Sequence, residues 1–285
     1  MRVFLYIQNY IVYLCMEKII YKSPLNYTGA KDKLMPTLLE HFPSDVDTFY
    51  DVFAGGLSVT INCDYDKIVS NDIISPMVEF YKEIKSYNNF DDLVETVIEN
   101  RIDKNKEKFN EIRSEFNKTK DPFLFFSLVS SCTNNMMRFN KKFEFNQTFG
   151  NRTINDSTIS KLKEYHRIIH EKQITFTNFS YRELLLKFNP TSSDFVYLDP
   201  PYMITEAGYN SYWSMDDEHM LYYFLDMLDN NGVRFLMSNV RNHKGVDNPF
   251  MDKVNKWDVI DIDYNYEKVA KKKGLGSQEI IIKNF

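Results

Sequence analysis

Asp199-Pro200-Pro201-Tyr202 follows directly on Asp194-Phe195-Val196-Tyr197-Leu198, an apolar run that reads as a buried strand. Two prolines cannot donate to a sheet ladder and end the strand abruptly. A carboxylate and an aromatic ring are thereby delivered at the carboxyl end of a strand, where open α/β sheets hold their ligands. That equipment suits chemistry on an exocyclic amino group of a planar base. The Asp199 side chain and the Pro200 carbonyl can accept its two hydrogens while Tyr202 stacks on the ring. Taken alone, the tetrapeptide is equally well a strand-ending turn.

A second constellation, Asp51-Val52-Phe53-Ala54-Gly55-Gly56, stands at the end of an expected strand, Val46 to Phe53. Glycines there let the backbone approach a ligand closely. Asp72 ends the next expected strand, and a carboxylate about 20 residues beyond a glycine-rich turn commonly binds ribose hydroxyls. No G-x-x-x-x-G-K-[ST] sequence is present, so a phosphate-cradling NTPase loop is unsupported. The ligand expected is a nucleoside without an essential phosphate, and S-adenosylmethionine fits. Upstream, Asn26-Tyr27-Thr28-Gly29-Ala30-Lys31 is a turn or a cofactor clamp. In the second case Lys31 pairs with the methionine carboxylate and Tyr27 packs beside it. Asp51, Phe53, Gly55, Asp72 and Asp199 complete this expected cofactor set.

A third segment runs from Asn134-Asn135-Met136-Met137-Arg138-Phe139-Asn140 to Phe145-Asn146-Gln147-Thr148-Phe149-Gly150-Asn151-Arg152. It has no helical period and reads as a loop or hairpin. Arginines, amides and exposed aromatics on a hairpin suit base-edge readout and wedging between bases. Asn134, Met136, Arg138, Asn140, Phe149 and Arg152 are its candidate DNA-binding residues.

The net charge of −5 argues against a uniformly basic nucleic-acid binder, but the charge is uneven. From Arg101 to Lys172 there are 15 Lys/Arg against 9 Asp/Glu, which leaves the remainder strongly acidic. One basic subdomain facing an anionic partner follows from that asymmetry. Cys15, Cys63 and Cys132 are too few and too scattered for a disulfide framework and point to a reducing compartment. His166 and His170 are four apart on an expected helix, yet a solvated face accounts for them better than a metal site; no metal is expected. Residues 1–15 are too short and interrupted to span a bilayer and lack a cleavage signature. They read as an extension of unclear role upstream of Met16-Glu17-Lys18, and the chain is expected in the cytoplasm.

The order of expected elements is α/β, then mostly helical, then α/β again. Strands are expected at Lys67 to Ser70, Gln173 to Thr177, Asp194 to Leu198, Val233 to Ser238, Val259 to Tyr264 and Gln278 to Lys283. Helices are expected from Ser75 to about Tyr87, near 90–101, 105–118, 122–132 and 158–170, then near 181–188 and 215–230. Residues 16–75 and 173–285 form the expected core, and 76–172 an inserted helical subdomain.

Tyr-Thr-Gly-Ala-Lys, Asp-Val-Phe-Ala-Gly-Gly, Asn-Asp-Ile, Met-Arg-Phe-Asn with Phe-Gly-Asn-Arg, and Asp-Pro-Pro-Tyr occur here in one order. That ordered set resembles the Dam-type DNA adenine methyltransferases of enteric bacteria and T-even phages, most closely the phage enzymes, from about Tyr21 onward. The resemblance implies a Rossmann-like methyltransferase sheet with a terminal antiparallel hairpin, an inserted helical target-recognition subdomain, and methylation of adenine in GATC. It implies cofactor contacts at Tyr27, Lys31, Phe53, Gly55 and Asp72, and a cofactor-adenine segment at Ser180-Tyr181. It implies catalysis by Asp199, Pro200, Pro201 and Tyr202. Arg138 and Arg152 match arginines that serve recognition, and Met136 a DNA-contacting position. Thr148-Phe149-Gly150 stands where the phage relatives have Pro-Phe-Gly.

The reading is therefore methyl transfer from S-adenosylmethionine to the 6-amino nitrogen of a flipped adenine in duplex DNA, with no membrane and no obligate protein partner. The segment from Met203 to Trp213 is expected beside the target base. Two alternatives stay open: the same chemistry on RNA or a protein amide, and a non-catalytic DNA-binding protein on a methyltransferase scaffold.

Overall fold

The computed structural model describes residues 19–25, 29–205, 213–262 and 276–285. Residues 1–15, Tyr27, Tyr209 and Tyr212, to which the sequence assigned parts, lie outside the described residues. Side chains alternate along the strands β1 (Phe49–Asp51), β2 (Lys67–Asn71), β3 (Gln173–Thr177) and β4 (Phe195–Leu198), and each parity buries in a different layer. Phe49, Ile68, Phe195 and Tyr197 join one buried cluster; Tyr50, Val69, Val196 and Leu198 join the other. A sheet covered on both faces follows, and it is mixed α/β.

The sheet adds β5 (Arg234–His243), β6 (Val246–Asp247), β7 (Asp258–Asp261) and β8 (Ser277–Lys283) in the order β3-β2-β1-β4-β5-β8-β7, with β6 on β5. The pairs from β3 through to β5 are parallel, whereas β8 runs antiparallel to both β5 and β7. This is the Rossmann-like methyltransferase sheet with a terminal antiparallel hairpin. Its strand order reverses between β1 and β4, the switch point where a crevice opens beyond the strand ends.

The helices are α1 (Met35–Glu40), α2 (Ser58–Asn62), α3 (Ser75–Ser86), α4 (Phe90–Glu99), α5 (Lys106–Thr119), α6 (Pro122–Ser131), α7 (Asp156–Glu171), α8 (Tyr181–Phe188), α9 (Met215–Asn230) and α10 (Met251–Val254). Their starts are written in the sequence. Asn89, Asn105, Asp121 and Asn155 accept N-terminal backbone N–H groups, and Ser180/Glu183 and Ser214/Asp217 form reciprocal capping boxes. Helices α3 to α7 and a short hairpin make up the whole connection from β2 to β3. The buried cluster on that side runs from Phe49 and Ile68 to Phe80, Phe116 and Phe126. Phe80 and Phe126 stack with centroids 4.5 Å apart.

Two strands differ in extent from expectation. The first strand is only Phe49–Asp51, because the chain leaves the ladder into the glycine turn: Gly55 has φ 47° and Leu57 φ 62°. The strand expected from Val259 to Tyr264 runs from Asp258 to Asp261 among the described residues. No helix among the described residues is long and apolar enough to cross a membrane.

Candidate active site

Asp51 ends β1 and Tyr197 is its partner in β4, so the glycine turn and Asp199-Pro200-Pro201-Tyr202 emerge side by side. They open onto a cavity of about 880 Å³, a size ordinary for a nucleoside-sized ligand. Lys31, Asp51, Phe53, Gly55, Asp72, Ser180, Tyr181 and all four residues from Asp199 to Tyr202 line this cavity. Residues distant in sequence are thus gathered at one place.

The glycine turn is held from both sides. The Gly55 N–H donates to Asp72 Oδ2 at 2.9 Å, and the Tyr81 hydroxyl donates to the Gly55 carbonyl. Asp72 Oδ1 accepts from the Ile74 N–H at 2.9 Å. Burial nonetheless pushes the Asp72 carboxyl up to about 6, outweighing those backbone bonds. Asp51 is more enclosed. The Thr60 hydroxyl donates to its Oδ2 at 2.6 Å, while its Oδ1 is buried with no partner among the described residues. Burial raises the Asp51 carboxyl to about 7, with the charges of Asp199 and Asp72 adding to the rise.

Lys31 stands differently from its sequence reading. Its Nζ lies 2.6 Å from Asp199 Oδ2 and 5.3 Å from the centre of the Tyr202 ring. The Tyr202 hydroxyl donates to Asp199 Oδ1 at 3.0 Å. Both oxygens of the Asp199 carboxylate are therefore oriented by neighbours, and each keeps a further lone pair for an incoming N–H.

Ser180 and Tyr181 also carry structural duties. Ser180 caps α8 through Glu183, and the Tyr181 hydroxyl donates to the Asp217 carbonyl at 2.9 Å. The Tyr181 ring lies 5.6 Å from Phe53 and 5.5 Å from Trp213. Trp213, expected beside the target base, thus sits on the aromatic wall around Phe53.

Among the hairpin residues, only Arg138 of the six candidates lines the cavity, together with Met137, Phe139 and Phe143. The Arg138 guanidinium donates to the Asn146 side chain at 2.9 Å and to its carbonyl at 2.7 Å. Phe139 and Phe143 stack in parallel, centroids 4.6 Å apart. The hairpin forms as expected, with antiparallel bridges Cys132↔Phe149 and Phe139↔Phe145.

Its aromatics are less exposed than the sequence suggests. Phe145 is buried, and Phe149 is half-buried with its ring 5.5 Å from Phe109, because both fill space over α5 and α6. The Asn140 amide is engaged within its own turn: Oδ1 accepts from the N–H groups of Lys142 and Glu144, and Nδ2 donates to Glu144 Oε2 at 2.7 Å. Arg152 bonds the Asn135 side chain, Asn134 is an exposed left-handed residue, and Met136 is half-buried.

Sequence reasoning assigned no role to Ile73, Asp217 or Glu279, which also line the cavity. Ile73 alone carried a signal, as the residue after Asp72 in the Asn-Asp-Ile motif. Glu279 lies near the end of the chain in β8 and had none.

A mostly parallel sheet with a glycine turn at its switch point, a carboxylate ending the next strand, and Asp-Pro-Pro-Tyr on the neighbouring strand is the architecture of the Rossmann-like methyltransferase fold. The comparison with known families agrees: residues 27–270 match the D12 class N6 adenine-specific DNA methyltransferases, and the chain belongs to that family. It is 34% identical over 283 residues to the modification methylase StsI of Streptococcus sanguinis, which covers 93% of this chain and 43% of that protein. It is 34% identical over 288 residues to the type II methyltransferase M.FokI of Planomicrobium okeanokoites, with the same coverage. The chain thus spans less than half the length of these relatives. Likeness to the DNA adenine methylase of Serratia marcescens is 28% over 229 residues, covering 75% of this chain and 82% of that protein. The Dam-type part of the resemblance is therefore its weaker part, and the expected nearness to T-even phage enzymes draws no support from these likenesses.

Proposed function

We propose that this chain transfers the methyl group of S-adenosylmethionine to the 6-amino nitrogen of adenine in double-stranded DNA. The observation that carries the reading is the shared cavity: the glycine turn with Asp51 and Asp72, the Asp199 to Tyr202 segment, and Arg138 of the hairpin all face it. Residues 76–172, the connection from β2 to β3 with its basic stretch from Arg101 to Lys172, are the proposed DNA-recognition insert.

The cavity suits the cofactor on two counts. Asp51 offers a buried, unpartnered oxygen in a pocket rich in carboxylates, which favours a cationic ligand. Asp72, Phe53, Tyr181 and Ile73 supply a carboxylate for hydroxyls and apolar faces for a planar ring. The cofactor, when bound, supplies an activated methyl group on a sulfonium.

The protein's own part is placement. Tyr202 offers its ring to the adenine. The Asp199 carboxylate accepts one amino hydrogen and the Pro200 carbonyl the other, which aims the nitrogen lone pair. Lys31 and the Tyr202 hydroxyl hold that carboxylate in one orientation, and orientation of reactants supplies much of an enzymatic acceleration. Because the amino group is hidden in the duplex stack, the adenine must leave it, at about a few kcal/mol.

GATC is the proposed recognition site, on the Dam-type resemblance, with Arg138 and Arg152 as its readers and Asn134, Met136, Asn140 and Phe149 beside them. The names of the modification methylases support a role paired with restriction. Incubation with labelled S-adenosylmethionine and unmethylated genomic DNA, followed by sequencing of modified adenines, tests all of this. Label in adenine of one sequence context supports the reading. Label in RNA or protein instead, or none with intact cofactor binding, overturns it.

A further inference from the structure

Glu218 is 2% exposed, yet it stands in the first turn of α9, a position where acids usually face solvent and complement the helix dipole. Burying a carboxyl is costly unless it is hydrogen-bonded. Among the described residues its side-chain partner is the Trp213 indole N–H, which donates to Oε2 at 2.5 Å. Burial pushes the Glu218 carboxyl up to about 7, the indole bond opposing the rise. An apolar residue would fill the same space without that cost. What the acid adds is an acceptor that fixes the indole plane.

That plane matters because Trp213 lines the cavity. Its ring lies 5.8 Å from Phe53 at 76° and 5.5 Å from Tyr181 at 46°. Ile73, 64% exposed, lines the same cavity. Aromatic side chains and an exposed aliphatic one around one cavity suit a planar heterocycle.

We infer that Trp213 contacts the purine of the nucleoside cofactor and that Glu218 is a positioning residue which holds its indole in place. The inference rests on the methyltransferase reading above and adds two residues that reading does not use. It requires that Glu218 act only through Trp213, so the two must be energetically coupled.

The test uses S-adenosylhomocysteine as probe and the full chain. Trp257 is the only other tryptophan, so Trp257→Phe makes Trp213 the single indole reporter. Its emission should change saturably as the probe is added. Glu218→Leu should weaken probe binding by about tenfold, the scale of one lost hydrogen bond to a well-placed group. Glu218→Gln, which keeps the acceptor, should bind nearly as wild type. Trp213→Phe should weaken binding to a similar degree, and the Glu218→Leu/Trp213→Phe pair should be no worse than either single change. In Glu218→Leu the cofactor KM should rise while turnover at saturating cofactor stays within about twofold. Wild-type affinity in Trp213→Phe, or additive losses in the pair, would overturn the inference. A wild-type chain that fails to bind the probe would overturn the methyltransferase reading and this inference with it.

Discussion

Lys31→Ala separates two roles that one lysine could serve. The motif alone assigns Lys31 to the methionine carboxylate of the cofactor, whereas the structure pairs it with Asp199 Oδ2 at 2.6 Å, their side chains 10% and 18% exposed. Hydrogen bonds to charged groups contribute about 1.5–3 kcal/mol. Residual exposure of both partners places this one near the lower end. At about 1.4 kcal/mol per tenfold, its loss predicts a drop of roughly 10- to 30-fold in the methyl-transfer rate constant.

The assay is single-turnover transfer to a duplex oligonucleotide with cofactor saturating, beside a separate titration of cofactor affinity. Lys31→Arg should recover part of the rate, because it keeps the charge but not the ammonium geometry. Affinity for S-adenosylhomocysteine should change less than the rate. The opposite split, an unchanged rate with affinity lowered tenfold or more, would refute the orienting role and restore the carboxylate-clamp reading.

Asp51 and Asp72 give a pH signature: burial holds them near 7 and 6, above the 3.8 of an exposed carboxyl. The native state then binds more protons than the unfolded one between about pH 4 and 7, so their contribution to stability falls as pH rises through that window and is level above it. Asp51→Asn should therefore stabilise the chain at pH 8, with the gain shrinking by about 2 kcal/mol at pH 5; thermal unfolding curves that stay parallel across pH would show otherwise. At Gly150 an added Cβ would lie 2.3 Å from the Cys132 carbonyl oxygen and 2.6 Å from the Thr133 nitrogen, all rigid backbone. Gly150→Ala should push the hairpin off the end of α6 and weaken DNA binding on the order of tenfold, with S-adenosylhomocysteine affinity unchanged; equal loss of both would place the damage in the core instead. Arg138→Ala should cost about 1–3 kcal/mol of site discrimination, and Arg152→Ala less, since Arg152 lies away from the cavity and bonds Asn135. Equal weakening on all sequences, seen only in the salt dependence, would make both phosphate contacts.

The parts of the site legible in the sequence are those whose chemistry sits in neighbouring residues. Asp199 to Tyr202 ends a strand by its own prolines, and the turn before Leu57 is marked by its glycines. Asp72 followed from spacing alone. The Lys31–Asp199 pair was illegible because it depends on which strands lie at the switch point, which no local pattern states. Glu218 drew no reading from the sequence, since burial of one face of α9 is decided by what packs on it. The hairpin was legible as a hairpin, but residue type could not say that Phe149 rests on Phe109 or that Asn140 closes its own turn.

The buried charges of the cavity are mostly carboxylates, with Lys31 buried beside Asp199, and this bears on how an acidic chain suits the proposed polyanionic partner. Asp51 is 1% exposed and Asp72 8%, both deep in the cavity, whereas Arg138 at the cavity edge is exposed. Deep carboxylates next to an unpartnered acceptor favour a cationic ligand, because a nearby positive charge offsets the desolvation that holds Asp51 near 7. Arginine at the rim, on a connection that carries a local surplus of positive charge, favours phosphate and base edges. A sulfonium and a nucleic acid can then be drawn to one cavity without competing for the same charges. The net charge of −5 says nothing against DNA, because the acidic surplus and the basic stretch from Arg101 to Lys172 lie in different parts of the chain.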